Sequence, residues 1–159
     1  QSPFFPVPYE RLPNRPVVRL IEGTTLRVGG FDLACLPLNH PGGALAYRVK
    51  GTTGDLVYAT DHEFGDPAYD EPLAEFARGA SAIILDAHFT PSEIGSFQGW
   101  GHSDWESCAK FAAANDIARL WLFHHKPGRT AEELVQIRTD ARSIFPATEA
   151  ACEGESFDF

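Results

Sequence analysis

The spacing of short apolar runs divides the chain into two parts. In the first part short turns separate the runs, and in the second part helical segments separate them. Before Asp61 the runs are separated only by short segments, one of them Gly29-Gly30, and this spacing predicts antiparallel hairpins. These runs are VVRLI, TLRV, FDLACLPL, ALAYRV and DLVYAT. After Asp61 the runs ASAIILDA and RLWLF alternate with segments of helical periodicity. The sequence therefore predicts an α/β chain that opens with antiparallel strands.

Three helices are predicted in the second part. The first spans about Glu71 to Arg78, with Pro72 near its first position. The second begins at the apparent capping box Ser103-Asp104-Trp105-Glu106 and ends near Asn115, and the third begins at a second capping box that starts with Thr130. One or two short final strands are predicted in ATEAAC and ESFDF.

Composition predicts a single folded domain. The chain has 159 residues, of which 43% are hydrophobic, and this is enough to bury one core. Five of the 12 prolines fall in SPFFPVPYERLPNRP, which excludes a regular helix there. We therefore predict an extended connection over residues 1–16 and one domain over residues 17–159.

Charge and hydropathy limit the classes of partner and location. The 22 acidic and 13 basic residues give a net charge of −9, which disfavours nucleic-acid binding because phosphate backbones are held by clustered Lys and Arg. No apolar stretch approaches the roughly 20 residues that span a membrane, and the first residues lack a secretory pattern, so a cytoplasmic protein is predicted. Cys35, Cys108 and Cys152 have no CxxC spacing and are interpreted as small core residues.

Four predicted strands end in a possible metal ligand. These residues are His40, Asp61, Asp86 and His124. Open sheets bind ligands at strand ends, and imidazole with carboxylate suits zinc, iron or manganese. Taken alone, a residue of this kind is more often a loop hydrogen-bond partner, a turn residue or a cap than a metal ligand. Their combination predicts a metal site.

The chain also resembles a known family. LPLNHPGGALAYRV, LVYATDHE, AIILDAHFT and GWGHSDWESCAKFAAANDIARLWLFHH resemble the later half of a metallo-β-lactamase-fold hydrolase, in the branch near ribonuclease Z and bacterial cyclic-nucleotide phosphodiesterases. The resemblance implies an αββα sandwich, mostly its second half. The family's HxHxDH cluster of metal ligands is absent from these residues, and the chain contains no methionine. Residues 17–159 are therefore expected to be the C-terminal part of a metallo-β-lactamase-like domain in a longer parent protein.

The resemblance implies roles for four residues. It assigns His40, Asp61 and His124 as ligands of two divalent metal ions, zinc foremost, with manganese or iron as alternatives. Asp61 would bridge the two ions and take part in catalysis. His102, in Gly101-His102-Ser103, would protonate the leaving oxygen. The structural alternative is that Ser103 only caps a helix and His102 has no chemical role.

Other polar residues have less specific assignments. His62 and His88 are candidates to line the substrate cleft, and Asp86 is a candidate to orient a ligand histidine. Neighbouring residues of a strand point to opposite faces, so His125 is expected to lie behind His124, under the turn that follows it.

The implied reaction is hydrolysis of a phosphodiester by a metal-bound hydroxide in the full-length parent. The acidic charge favours a small phosphodiester, such as a cyclic nucleotide, over transfer RNA. The same metals would serve a hydrolase of carboxylic esters, lactones or β-lactams, and a degenerate binding or scaffold module is a further alternative. The 159 residues alone are expected to be inactive. They are also expected to form a homo-oligomer or to pair with an upstream fragment that completes the sheet.

Overall fold

The computed structural model describes residues 25–159, and these contain one seven-stranded sheet whose strands lie side by side in chain order. The strands are β1 (Leu26–Val28), β2 (Phe31–Leu38), β3 (Ala44–Lys50), β4 (Asp55–Ala59), β5 (Ala82–Asp86), β6 (Leu120–Phe123) and β7 (Thr148–Ala150). The predicted connection over residues 1–16 and the strand predicted at VVRLI lie outside the described residues.

The pairing changes from antiparallel to parallel at β4. Strands β1 to β4 pair antiparallel, with Val28 opposite Phe31 across the predicted Gly29-Gly30 turn. Strands β4 to β7 pair parallel. Both predictions from the spacing of the apolar runs are therefore confirmed. The carboxyl ends of β4, β5 and β6 consequently meet at one edge of the sheet.

Three helices follow the parallel strands: α1 (Pro67–Ala77), α2 (Trp105–Ala114) and α3 (Ala131–Ile144). A 3₁₀ turn lies at Ile94–Ser96, between β5 and α2. The predicted capping box of α3 is confirmed, because the Thr130 hydroxyl accepts the Glu133 N–H and the Glu133 carboxylate accepts the Thr130 N–H. Within residues 25–159 no helix is long and apolar enough to cross a membrane.

The core lies between one face of the sheet and the helices. Alternation along β4 shows the two faces, because Val57 is fully buried while Tyr58 is exposed. Ile83 and Leu122 lie on the same face as Val57 and belong with Leu73 of α1 to the buried cluster. The opposite face of the described sheet carries exposed apolar side chains, namely Phe31, Leu45, Tyr58 and Phe123.

Helix α1 begins four residues earlier than predicted. The Asp66 side chain accepts the N–H of Ala68 and caps the helix, and Pro67 occupies a first-turn position. Its fixed φ and missing N–H suit that position. Pro72, which was predicted to start the helix, lies inside it.

The N-cap of α2 is Asp104 and not Ser103, which corrects the predicted capping box. The Asp104 carboxylate accepts the N–H groups of Glu106 and Ser107. Ser103 is buried and hydrogen-bonded elsewhere, so it cannot act as the cap.

Two further predictions are correct only in part. ATEAAC contains β7, whereas ESFDF is not part of a strand. Cys108 is fully buried, as predicted for a core residue, whereas Cys35 is only partly buried and Cys152 is exposed. Cys152 follows β7, which is the last strand of the described sheet.

Candidate metal and catalytic site

Strand ends bring the predicted residues to one edge of the sheet. His40 follows β2, Asp61 follows β4, Asp86 ends β5 and His124 follows β6. Asp61 and His124 have positive φ angles of 63° and 53°. Such angles cost a residue other than glycine roughly 1–3 kcal/mol and persist only where the surroundings fix them, often at functional sites. Both strands therefore turn sharply at the residue that carries the functional group.

Asp61 lies between two histidines. Its Oδ1 is 3.8 Å from Nε2 of His40 and 3.7 Å from Nε2 of His124. These distances are too long for hydrogen bonds. They suit side chains placed around a shared cation, because ligands bound at about 2.0–2.2 Å are separated by roughly 3–4 Å. The structure thus brings together the three residues predicted to bind metal.

Asp86 connects Asp61 to His102. The Asp86 side chain is 1% exposed. Its Oδ2 accepts the Asp61 N–H (3.1 Å), its Oδ1 accepts the His88 N–H (3.0 Å), and its Oδ2 lies 2.5 Å from Nδ1 of His102. Burial raises the pKa of Asp86 to about 7, although His124 and the two N–H groups favour its charged form. The residue that Asp86 orients is therefore His102, and Nε2 is the nitrogen of His102 left available to a substrate.

His88 lies against His102 and His124. Its ring stacks on that of His102, with centroids 4.6 Å apart, and its Nδ1 donates to the carbonyl oxygen of His124 at 2.9 Å. Nitrogen atoms of these three histidines lie within 4.8 Å of one another. Burial lowers the pKa of His88 and favours the neutral ring. The structure therefore places this cleft candidate in the cluster.

His62 lies in the core and not in the cleft. The residue is 1% exposed. Its Nδ1 accepts the N–H of Asn39, and its Nε2 therefore donates to Asp70 at 3.0 Å. Burial lowers the pKa of His62. Its place beside Asp61 and its bond to the residue before His40 make it a structural support for both loops.

His125 lies outside the cluster that His88, His102 and His124 form. Both of its ring nitrogens are buried, and this burial lowers its pKa. Ser103, the predicted cap of α2, instead donates from its hydroxyl to the His62 carbonyl at 2.5 Å and accepts the Phe64 N–H at 3.2 Å.

Glu63 is a supporting residue that the sequence did not indicate. Its backbone exchanges hydrogen bonds with Asn39, and its carboxylate accepts the N–H groups of Gly99 and Gly101. Glu63 therefore joins the loop of His40 to the loop of His102. No periodic pattern or motif marks such a contact, because its partners are 24 to 38 residues away along the chain.

Comparisons with known proteins agree on one family. Residues 2–125 match the profile of the beta-lactamase superfamily domain. Ribonuclease Z of Bradyrhizobium sp. is 33% identical over 89 residues, which are 56% of this chain and 29% of that protein. Ribonuclease Z of Geobacillus kaustophilus is 32% identical over 93 residues, 58% of this chain and 30% of that protein. The matched segment thus spans less than a third of these curated relatives.

Solved structures show the same fold at lower identity. The metallo-beta-lactamase fold protein YhfI from Bacillus subtilis has a TM-score of 0.70 and 20% identity, over 84% of this chain and 52% of that one. Zn(2+)-bound PqqB from Methylobacterium extorquens has a TM-score of 0.64 and 15% identity, over 88% of this chain and 51% of that one.

Proposed function

The chain belongs to the beta-lactamase superfamily, and on that premise we propose that the full-length protein is a metal-dependent phosphodiesterase. The family match and the solved structures confirm the metallo-β-lactamase-fold resemblance and the α/β fold class. The observation that carries the proposal is the position of Asp61 between His40 and His124. Relatives named Ribonuclease Z support a phosphodiester as the substrate. No finding favours a scaffold module or a carboxylic ester, lactone or β-lactam hydrolase.

The side chains at this edge suit divalent ions. We assign His40, Asp61 and His124 as the residues that would hold the metal, with Asp61 able to serve more than one ion. Imidazole and carboxylate without thiolate fit zinc best and also accept manganese or iron. When bound, such ions lower the pKa of water and neutralise charge on the phosphate oxygens. The identity of the metal as zinc and the number of two ions are both parts of this proposal.

His102 is proposed to donate the proton that the reaction requires. Its Nδ1 is engaged by Asp86, which fixes the ring and leaves Nε2 towards the site. Hydrolysis forms a bond from the water oxygen to phosphorus and breaks the bond to the leaving oxygen. The leaving oxygen takes the proton from Nε2 of His102, and a water proton is released to solvent, so a phosphomonoester and an alcohol result. His102 then regains a proton from solvent.

The nature of the phosphodiester is a finer proposal. Relatives named Ribonuclease Z suggest a nucleic-acid substrate, whereas the net charge of −9 led to a small cyclic nucleotide as the predicted substrate. The comparisons give no support to the prediction that the acidic charge disfavours a nucleic-acid partner. Both substrates contain the same reacting group, so the proposed chemistry covers both. Cytoplasmic location and self-association also remain proposals.

The test is metal-dependent turnover by the full-length protein. Metal is removed with a chelator, and zinc or manganese is then returned. Rates are measured on bis(p-nitrophenyl) phosphate, a cyclic nucleotide and a transfer RNA precursor with a 3′ extension. We expect turnover of at least one phosphodiester only after metal is returned. Equal turnover with and without metal, or hydrolysis of a lactone or β-lactam but of no phosphodiester, would contradict the proposal.

A further inference from the structure

Trp100 is the most exposed large apolar side chain in the described residues, with 60% of its surface accessible. It lies two residues before His102, in the loop that joins the 3₁₀ turn to α2. Two residues span at most about 7 Å of chain, so the backbone of Trp100 lies close to that of the proposed proton donor. A large apolar ring is thus held in water at the margin of the site.

The loop that carries Trp100 is fixed on both sides of the residue. Oε1 of Glu63 accepts the N–H of Gly99 at 2.7 Å, and Oε2 accepts the N–H of Gly101 at 2.8 Å. Both glycines have positive φ angles, 81° and 84°, which other residues rarely adopt. Charge-assisted hydrogen bonds of this kind are stronger than neutral ones. The exposure of Trp100 is therefore not that of a loosely held loop.

An aromatic row leads from the core to Trp100. Phe89 is buried, and its ring stacks on Phe97 with centroids 4.6 Å apart. Phe97 meets Trp100 in an edge-to-face contact at 5.1 Å. Phe89 also contacts the ring of His102 at 6.3 Å. Phe89 and Phe97 thus pack behind the indole of Trp100, which is itself largely exposed.

Single exposed aromatic residues are common on protein surfaces and need no function. Trp100 differs from them in two respects. Its loop is held by the carboxylate of Glu63, whose backbone also bonds to Asn39 beside His40, and it lies two residues before the proposed catalytic residue. A rigid apolar surface at that place suits recognition of a substrate that has a flat ring.

We propose that Trp100 is a stacking platform for an aromatic base of the substrate, which makes the substrate a phosphodiester that carries a nucleobase. This inference rests on the proposed phosphodiesterase function and adds the residue that binds the base, which a cyclic nucleotide and a nucleic acid have in common. Every nucleobase has a π-face, so stacking on an aromatic side chain binds bases with little sequence preference. Glu63 is a positioning residue in this arrangement, since it acts through the loop and not on the substrate.

Binding can be tested without turnover. The intrinsic tryptophan fluorescence of the full-length protein is titrated with adenosine 5′-monophosphate and, as the matched ligand without a base, ribose 5-phosphate. We expect quenching by the nucleotide alone. The quenching should disappear in Trp100→Leu and persist in Trp105→Phe, since Trp105 packs against the core.

Kinetics separate the base from the reacting group. The substrates are thymidine 5′-(p-nitrophenyl phosphate) and methyl p-nitrophenyl phosphate, which share the leaving group but differ in the base. Trp100→Ala should raise KM for the nucleoside ester by roughly 5- to 150-fold, the range expected for loss of one base stack. KM for the methyl ester should stay the same. Trp100→Phe should restore most of the affinity, and Tyr69→Ala, an exposed aromatic residue on α1, should change neither KM.

The outcomes distinguish this inference from the proposed function. An equal rise in KM for both esters in Trp100→Ala would mean that the indole only supports the loop. The stacking role would then be wrong, and the proposed phosphodiesterase function would be unaffected. If the wild-type protein hydrolyses no phosphodiester, the proposed function fails, and the fluorescence titration alone decides on stacking. If ribose 5-phosphate quenches the fluorescence as much as adenosine 5′-monophosphate does, the stacking proposal is wrong. Comparing cyclic AMP with a short RNA then distinguishes a free nucleotide from a nucleic-acid end.

Discussion

Oδ2 of Asp86 lies 2.5 Å from Nδ1 of His102, although the two residues belong to different elements of the fold. Asp86 is the last residue of β5, and His102 lies in the loop before α2. The same Oδ2 accepts the backbone N–H of Asp61. One buried carboxyl group therefore holds both the proposed proton donor and the proposed bridging ligand.

His102→Ala in the full-length protein should keep its metal and lose turnover by about 10²- to 10⁴-fold, the range typical of a positioned acid. The metal should remain because His40, Asp61 and His124 are unchanged. Metal content is measured by mass spectrometry, and rates are compared for esters with alkoxide and p-nitrophenolate leaving groups. The loss should be smaller for p-nitrophenolate, which leaves without a proton. Equal losses for both leaving groups would exclude the role of His102 as an acid.

Asp61→Ala should release metal from the full-length protein. Removal of the carboxylate takes away the group that both neighbouring histidines face, so each ion would lose a ligand. The measurement is metal content after dialysis against a weak chelator. Asp116→Ala is the matched control, because Asp116 also has a positive φ, 54°, and lies at the end of α2. Retention of metal in Asp61→Ala would show that other residues hold it.

Gly101→Ala should destabilise the protein more than Gly99→Ala. Both glycines have a positive φ, so the backbone strain is similar. A Cβ on Gly101 would lie 2.2 Å from Cδ2 of His40 and 2.7 Å from Cδ of Pro41, whereas a Cβ on Gly99 would meet nothing within 4 Å. We expect an additional loss of about 1–3 kcal/mol for Gly101→Ala, as for other overpacked positions. Chemical denaturation of both variants measures the free energy of unfolding. Equal destabilisation of the two variants would show that the His40 loop can shift to accommodate the added Cβ.

Local signals explain which elements could be predicted from the sequence. The apolar runs of β5 and β6 and the capping box at Thr130 are read from neighbouring residues, and each is present as predicted. Polar residues at strand ends likewise predicted which side chains would meet, since parallel strands end at the same edge. The start of α1 could not be fixed in this way, because Pro67 and Pro72 both satisfy the rule for a first turn.

Long-range contacts explain what the sequence did not predict. The bonds from Glu63 to Gly99 and Gly101 join residues 36 and 38 positions apart. Neither glycine nor glutamate has a periodicity that would indicate this pairing. Ser103 had the residue type of an N-cap, but its hydroxyl bonds to the residue 62 carbonyl, and Asp104 acts as the cap. Local propensity was overridden by tertiary hydrogen bonding.

Glu93 should make stability depend on pH in the acid range. Burial would raise the pKa of Glu93, but hydrogen bonds from the Thr90 N–H, Arg129 and Lys126 outweigh it and lower the pKa to about 2, from an ordinary 4.5. The charged form is therefore favoured by folding. The contribution of the charged Glu93 side chain to the stability of the fold is fully present above pH 4.5 and is lost as the pH falls towards 2.

Thermal melts of the wild type and Glu93→Gln test this. The wild type should melt at a higher temperature at neutral pH, and the difference should shrink as the pH is lowered through 4.5. Glu75→Gln is the control, because Glu75 pairs with Arg78 on the surface of α1 with 78% of its side chain exposed, and surface pairs contribute little. A difference that stays constant down to pH 2 would show that the charge of Glu93 does not stabilise the fold.

The 159 residues alone should have no meaningful phosphodiesterase activity and should self-associate. They contain no HxH sequence, and the three proposed ligands are too few to hold two ions firmly. The helix-free face of the described sheet carries Phe31, Leu45, Tyr58 and Phe123 in exposed positions, and such a surface favours association. The measurements are light scattering and turnover of a chromogenic phosphodiester with added zinc or manganese, after mass spectrometry has verified the chain. Robust turnover from the verified chain would falsify the argument that its metal site is incomplete and would assign the missing ligands to other histidines, of which His88 lies nearest to His124 and His102.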